Sequence, residues 1–323
     1  MWKRSDIAKS NKALIITGCI CAVILTGFVI AEKLIPKNPD PEKELAIKYM
    51  SEMIDAVSDY CLENSIQINK ADDPLETGLI GPEWTEMTST IGHLGAKRTT
   101  LNPDFASLMV TLLRKAGVKP GDNIALGCSG SFPGLLLASL AGAKAMDLNC
   151  RSIISLGASS YGANRPELTI LDIYQILLEN NLITDDLVGI SLGGESDLGK
   201  EWDQHFLDKL LQRIELSGIP FIREKDLMKN ISQRASLLGF DQNLPPTVYI
   251  NAGGATANIG TSTSVLRVRP GVIKHAKIPP PEQQGMLHYV LRKRIPVIHL
   301  LFIKGLILEY GLPWDPVLSQ HAE

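Results

Sequence analysis

Glycine and serine recur where the apolar runs of this chain stop. Asn123-Ile124-Ala125-Leu126 leads into Gly127-Cys128-Ser129-Gly130-Ser131. Placed between a strand and a helix, small-x-Ser-x-small approximates a nucleophile elbow, where a tight turn exposes the central hydroxyl. Ser131 stands where that pattern ends in glycine. Pro133 suits the first turn of the next helix, whose free N–H groups attract an oxyanion or a carboxylate. Ser129 is therefore a candidate nucleophile, with Gly130 and Ser131 as ligand contacts. A ligand-binding turn and a plain helix entry are the alternatives.

A serine nucleophile needs a base. Lys97 is one candidate, as in Ser–Lys hydrolases. Asp197 followed by His275 gives the chain order Ser, Asp, His of α/β-hydrolases. His205 falls in a helical pattern and His299 in an apolar one, and no histidine stands in a loop motif. Lys97 and Arg98 also read as a carboxylate clamp, since arginine binds carboxylates through two parallel N–H groups. A solvated basic turn is the alternative.

The other strand-ending loops are ligand-binding candidates. Ser152-Ile153-Ile154-Ser155-Leu156 runs into Gly157-Ala158-Ser159-Ser160, Leu187-Val188-Gly189-Ile190-Ser191-Leu192 into Gly193-Gly194, and Thr247-Val248-Tyr249-Ile250 into Asn251-Ala252-Gly253-Gly254. Ser159, Gly193, Gly194, Asn251, Gly253 and Gly254 are the contacts expected there, because such loops aim backbone N–H groups at an anion. Glu195 and Asp197 offer two carboxylates, for water or a metal or as a solvated loop. No cysteine has metal-ligand spacing, so no metal and no cofactor is expected.

These loops need a scaffold. Strand-like runs recur near residues 124, 153, 188, 220 and 248, with helical patterns between them. That is the βαβ rhythm, and the strands are apolar throughout rather than alternating. A doubly wound, mostly parallel sheet with helices on both faces follows, and such sheets bind ligands at the carboxyl ends of their strands. Asn102-Pro103-Asp104 starts a helix that Gly117 ends. Residues 283–294 and 297–310 read as two closing helices separated by Pro296.

The chain has 323 residues and a formal charge of −3. No basic, aromatic-bearing patch suggests nucleic acid. Residues 13–31 are uncharged and mostly apolar. As a helix they reach roughly 30 Å, enough to cross a bilayer core. Lys3, Arg4, Lys9 and Lys12 precede them, which favours a cytoplasmic N-terminus at residues 1–12 and an external C-terminal part. A cleaved signal and a lipoprotein signal at Cys19 are the alternatives. Residues 32–41 form a linker, 42–64 a juxtamembrane helix and 65–323 an extracytoplasmic α/β domain.

Gly81-Pro82-Glu83-Trp84-Thr85, Ala96-Lys97-Arg98-Thr99, Asn102-Pro103-Asp104-Phe105 and Gly130-Ser131-Phe132-Pro133 extend the pattern, with the loops after residues 155, 191 and 251. On these motifs the chain resembles the poly-gamma-glutamate system protein family, a membrane-anchored family of bacterial capsule gene clusters. The resemblance implies an accessory role in synthesis or export of a γ-linked glutamate polymer. The polymer, membrane proteins of the synthesis complex and the bilayer would be its partners. A serine-dependent hydrolase or acyl-transferase, and a non-catalytic scaffold, are the other readings.

Overall fold

The apolar runs become strands because each is short, rich in Ile, Leu and Val, and bounded by turn residues. The computed structural model describes residues 39–316 apart from Asp185 and Glu201, with a few helical positions between 17 and 26. The apolar span 13–31 as a whole lies outside the described residues. Among those described, no helix is long and apolar enough to cross a membrane.

The strands in chain order are β1 (Thr88–Thr90), β2 (Asn123–Ser129), β3 (Asn149–Ser155), β4 (Ala158–Ser159), β5 (Asn164–Arg165) and β6 (Leu168–Thr169). They continue as β7 (Asp186–Ser191), β8 (Phe221–Ile222), β9 (Tyr249–Ala252), β10 (Gly271–Ile273) and β11 (Val297–His299). Seven of them make one sheet in the order β10-β11-β9-β2-β3-β7-β8. Every neighbouring pair is parallel except the edge pair β10–β11. From β2 the chain steps outward through β3, β7 and β8, then returns to β9 on the other side of β2. That reversal opens a crevice at the carboxyl ends of β2 and β9, where open α/β sheets bind ligands.

Both faces are covered. Ile124, Leu126 and Cys128 of β2 point into the larger core and Ala125 into the smaller one. The helix Pro133–Ala145 is buried along nearly its whole length, as its run of Leu, Ala and Gly allows. Gly142 lets it approach the helix Asp104–Ala116, since a Cβ there would lie 2.9 Å from Met109 Cβ. The smaller core is closed by the helices Leu227–Leu237 and Met286–Arg292.

Residues 42–64, read from sequence as a segment ahead of the domain, are an integral layer of it. The helix Pro41–Glu63 buries Ala46, Met50, Met53, Val57 and Cys61, spaced three and four apart. It packs on the helices Pro133–Ala145, Asp104–Ala116 and Ile170–Glu179. The compact unit accordingly begins at Pro41.

The closing region differs from expectation. Residues 297–310 are not one helix: Val297–His299 is a strand, and the helix spans Ile303–Tyr310. A continuous apolar run does not distinguish a buried strand from a buried helix. Here the edge of β9 decides, because Val297, Ile298 and His299 pair in register with Tyr249, Ile250 and Asn251.

Candidate functional site

Three serines end three adjacent strands in one row. Ser129 of β2 pairs in register with Ser155 of β3, and Ser155 with Ser191 of β7. Strand alternation turns all three toward the smaller core, where their hydroxyls need partners. Ser155 and Ser191 find them. Their hydroxyls lie 2.8 Å apart, and Ser191 Oγ donates to Asp197 Oδ1 at 2.7 Å. Arg234 Nη2 donates to Asp197 Oδ2 at 2.7 Å and to Ser191 Oγ at 2.6 Å. Asn230 Nδ2 adds a bond to Asp197 Oδ2 at 3.0 Å, and its Oδ1 accepts from Arg234 Nε at 2.8 Å.

This buried network ties down the loop after β7. Gly193, Gly194, Ser196, Asp197 and Gly199 all have positive φ there, an unfavourable state for the non-glycine residues. Asp197 faces inward to Arg234 and is not available to position a histidine, a water or a metal. Its loop neighbour Glu195 stands on the wall of a cleft of about 520 Å³.

That cleft collects most of the residues expected from sequence. Lys97, Ser129, Ser131, Ser159, Gly193, Gly194 and Gly254 all line it. Its centre is Lys97, 1% exposed on the short helix Leu94–Thr100. Lys97 Nζ donates to Ser159 Oγ at 2.7 Å and to the Ser131 carbonyl. The Phe132 ring centroid lies 3.7 Å from the amine. Ser159 is itself held, its N–H donating to Ser131 Oγ at 3.0 Å. Burial pushes the Lys97 amine down from 10.5 to about 7. An amine so placed exchanges its proton near neutral pH.

Ser129 is placed differently from expectation. Its hydroxyl is buried and hydrogen-bonds to no group among the described residues, so the base expected for Ser129 serves Ser159 instead. Above it the chain passes as Gly253, with φ 116°, where a Cβ would come 2.6 Å from Ser129 Oγ. Gly253 thus serves by having no side chain, and it does not itself line the cleft. Gly130 also packs inside, its N–H donating to the Ser155 carbonyl. The Ser129–Asp197–His275 arrangement does not form, since Asp197 is paired with Arg234 and His275 lines a separate groove.

Arg98 is not a ligand clamp. Its Nε and Nη2 each reach a carboxylate oxygen of Asp315 at 2.9 Å, and both side chains are buried. The pair fastens the C-terminal segment to the helix Leu94–Thr100. Asn251 is likewise engaged away from the cleft wall, its Nδ2 lying 2.9 Å from His299 Nδ1. Burial, reinforced by His288, holds His299 down to about 4, so it is a neutral acceptor there.

The ionisable side chains on the cleft wall are therefore Lys97, His93 and Glu195. Sequence reasoning named Lys97 and Ser159 separately but missed that they meet. It also missed Phe132, Arg234 and Asp315, whose roles depend on segments distant in the chain. A serine in the glycine-bearing turn at residues 157–162 and a lysine two residues after Gly95 were the signal at hand.

The fold and cleft define a mostly parallel α/β protein with a Ser–Lys pair at the carboxyl ends of its strands. No family model, curated protein or solved structure matches the chain.

Proposed function

We propose that the cleft carries out acyl transfer on an amide, with Ser159 as nucleophile and Lys97 as its base. The observation behind this is the 2.7 Å contact between Lys97 Nζ and Ser159 Oγ. The amine making it is buried, and among the described residues no carboxylate is bonded to it to raise its proton affinity. A neutral amine has one lone pair and two N–H groups. The lone pair takes the Ser159 proton as Oγ attacks the carbonyl carbon. One N–H stays on the Ser131 carbonyl and fixes the amine. When the tetrahedral intermediate collapses, the C–N bond breaks and Lys97 returns the proton to the leaving amine. Water attacking the acyl-serine completes hydrolysis, and an incoming amine completes transfer.

The substrate class comes from the resemblance to the poly-gamma-glutamate system family, and is a γ-glutamyl amide. In this reading the doubly wound domain is held outside the cytoplasm by residues 13–31 and trims or transfers capsule polymer. Ser129, whose hydroxyl is buried beneath Gly253, takes no part in the attack. A second reading is a non-catalytic component that holds the chain. It is favoured by the Ser131 carbonyl and Phe132 ring, which also suit a fixed ammonium.

Incubating the purified protein with poly-γ-glutamate and sizing the product separates the two. Shortening or transfer by the wild type that vanishes in Ser159→Ala is the expected result. Unprocessed polymer with the wild type favours the second reading, and equal processing by a folded Ser159→Ala removes Ser159 as the nucleophile.

A further inference from the structure

Residues 261–277 carry two arginines, two lysines and a histidine and no acid, in a chain whose formal charge is −3. The fold folds this stretch back on itself. Arg267 closes the 3-10 turn Thr263–Arg267, Arg269 follows, and the chain passes through β10 to His275 and Lys277. Arg267, Arg269, His275 and Lys277 thereby line one groove of about 670 Å³ together with the hydroxyls of Ser262 and Ser264. Among the described residues no carboxylate lines it. Among the described residues, none of the two arginines and two lysines is in an ion pair or hydrogen bond. Like charges set side by side without counter-charges repel one another, and an anionic ligand relieves that repulsion.

We infer that this groove binds an extended polycarboxylate chain of the acidic-polypeptide class. The concavity suits one extended chain, whereas a flat bilayer meets only the rim. Among the described residues no Phe, Tyr or Trp lines the groove, so nucleobases have nothing there to stack on. Arginine forks match carboxylates through paired N–H groups. The groove also adjoins the cleft along the chain. Thr256 lines the cleft and Ser262 the groove, six positions apart in the chain. Their α carbons are then at most about 20 Å apart. A polymer long enough to leave the groove is then within reach of the cleft. The choice of an amide-linked polyanion rests on the acyl-transfer reading, while the preference for negative charge does not.

The test is direct binding of fluorescein-labelled poly-γ-glutamate to the full-length protein in detergent, followed by fluorescence anisotropy. Arg267→Ser/Arg269→Ser/Lys277→Ser should weaken binding at least tenfold and flatten its salt dependence. Arg269→Lys, which keeps the charge, should change it less than threefold. Ser159→Ala should bind like the wild type, so a failure of catalysis leaves the groove standing and a failure of binding does not touch Ser159. Circular dichroism confirms that each variant is folded. Undiminished binding in the folded triple variant overturns the proposal. So does tighter binding of oligodeoxythymidylate or of phosphatidylglycerol vesicles than of poly-γ-glutamate under the same salt.

Discussion

Lys97 and Arg98 are adjacent in the chain, yet they serve different sides of one short helix. Lys97 reaches Ser159 Oγ at 2.7 Å in the cleft, while Arg98 is bound through two contacts of 2.9 Å to Asp315. Successive helical positions are about 100° apart, so neighbouring cations cannot share one ligand face. One becomes a neutralisable amine without a counter-ion, the other a permanent charge inside an ion pair. The contrast separates chemistry from structure within two residues.

Ser159→Ala should lower turnover of γ-glutamyl amide by orders of magnitude, because members of one catalytic unit act together. Ser129→Ala removes a buried hydroxyl that has no hydrogen-bond partner among the described residues, and should leave kcat and KM nearly unchanged. Comparing kcat and KM for the two variants checks this. A large kcat loss in Ser129→Ala with an active Ser159→Ala would exchange their roles.

The pH dependence follows from Lys97. Its amine is lowered to about 7 in the folded protein against an ordinary 10.5. Only the neutral form takes a proton from Ser159, so kcat/KM should rise with pH and level off above about 7. Between about 7 and 10.5 the unfolded chain binds the extra proton, so this residue makes stability rise with pH across that window. Below about 7 the cost of charging the buried amine is fully present. Lys97→Met should therefore abolish activity while removing that cost, seen as a gain in urea midpoint at pH 6 that shrinks toward pH 10.

Breaking the buried Arg98–Asp315 pair should destabilise by about 3–5 kcal/mol, since a charge is left buried alone. Arg98→Met alone and Asp315→Leu alone should each show it in denaturant unfolding. The double variant should lose much less. Equal losses in all three would mean that packing of the C-terminal segment, rather than charge, dominates there.

Arg234 is the equivalent strut under the loop that carries Glu195. It is 1% exposed, and Arg234→Leu strands Asp197 without its counter-charge. A loss of about 3–5 kcal/mol is expected. Because five positive-φ residues depend on that anchorage, protease cleavage between residues 193 and 199 should rise in the variant before global unfolding. Cleavage elsewhere first would remove the loop-anchoring role.

The sequence by itself determined the features that are local. Asn102 Oδ1 accepts from Asp104 N–H at 3.0 Å where the next helix starts, and Gly117 ends that helix with φ 92°. Apolar runs bounded by Gly and Ser set β2, β3, β7 and β9, and so put small residues at the carboxyl ends of a parallel sheet. Local backbone preference and burial of both strand faces suffice for that. Which serine meets Lys97 was decided by the tertiary structure, across 62 residues, as was the partner of Arg98, across 217. So were the inward turn of Asp197 and the strand at Val297–His299, a run that as an isolated segment reads as helix. Each of these depends on which buried polar group or open strand edge lies within reach once the sheet has closed. Desolvation then sets the stakes, making the pairing of Arg98 obligatory and leaving the amine of Lys97 free to lose its proton.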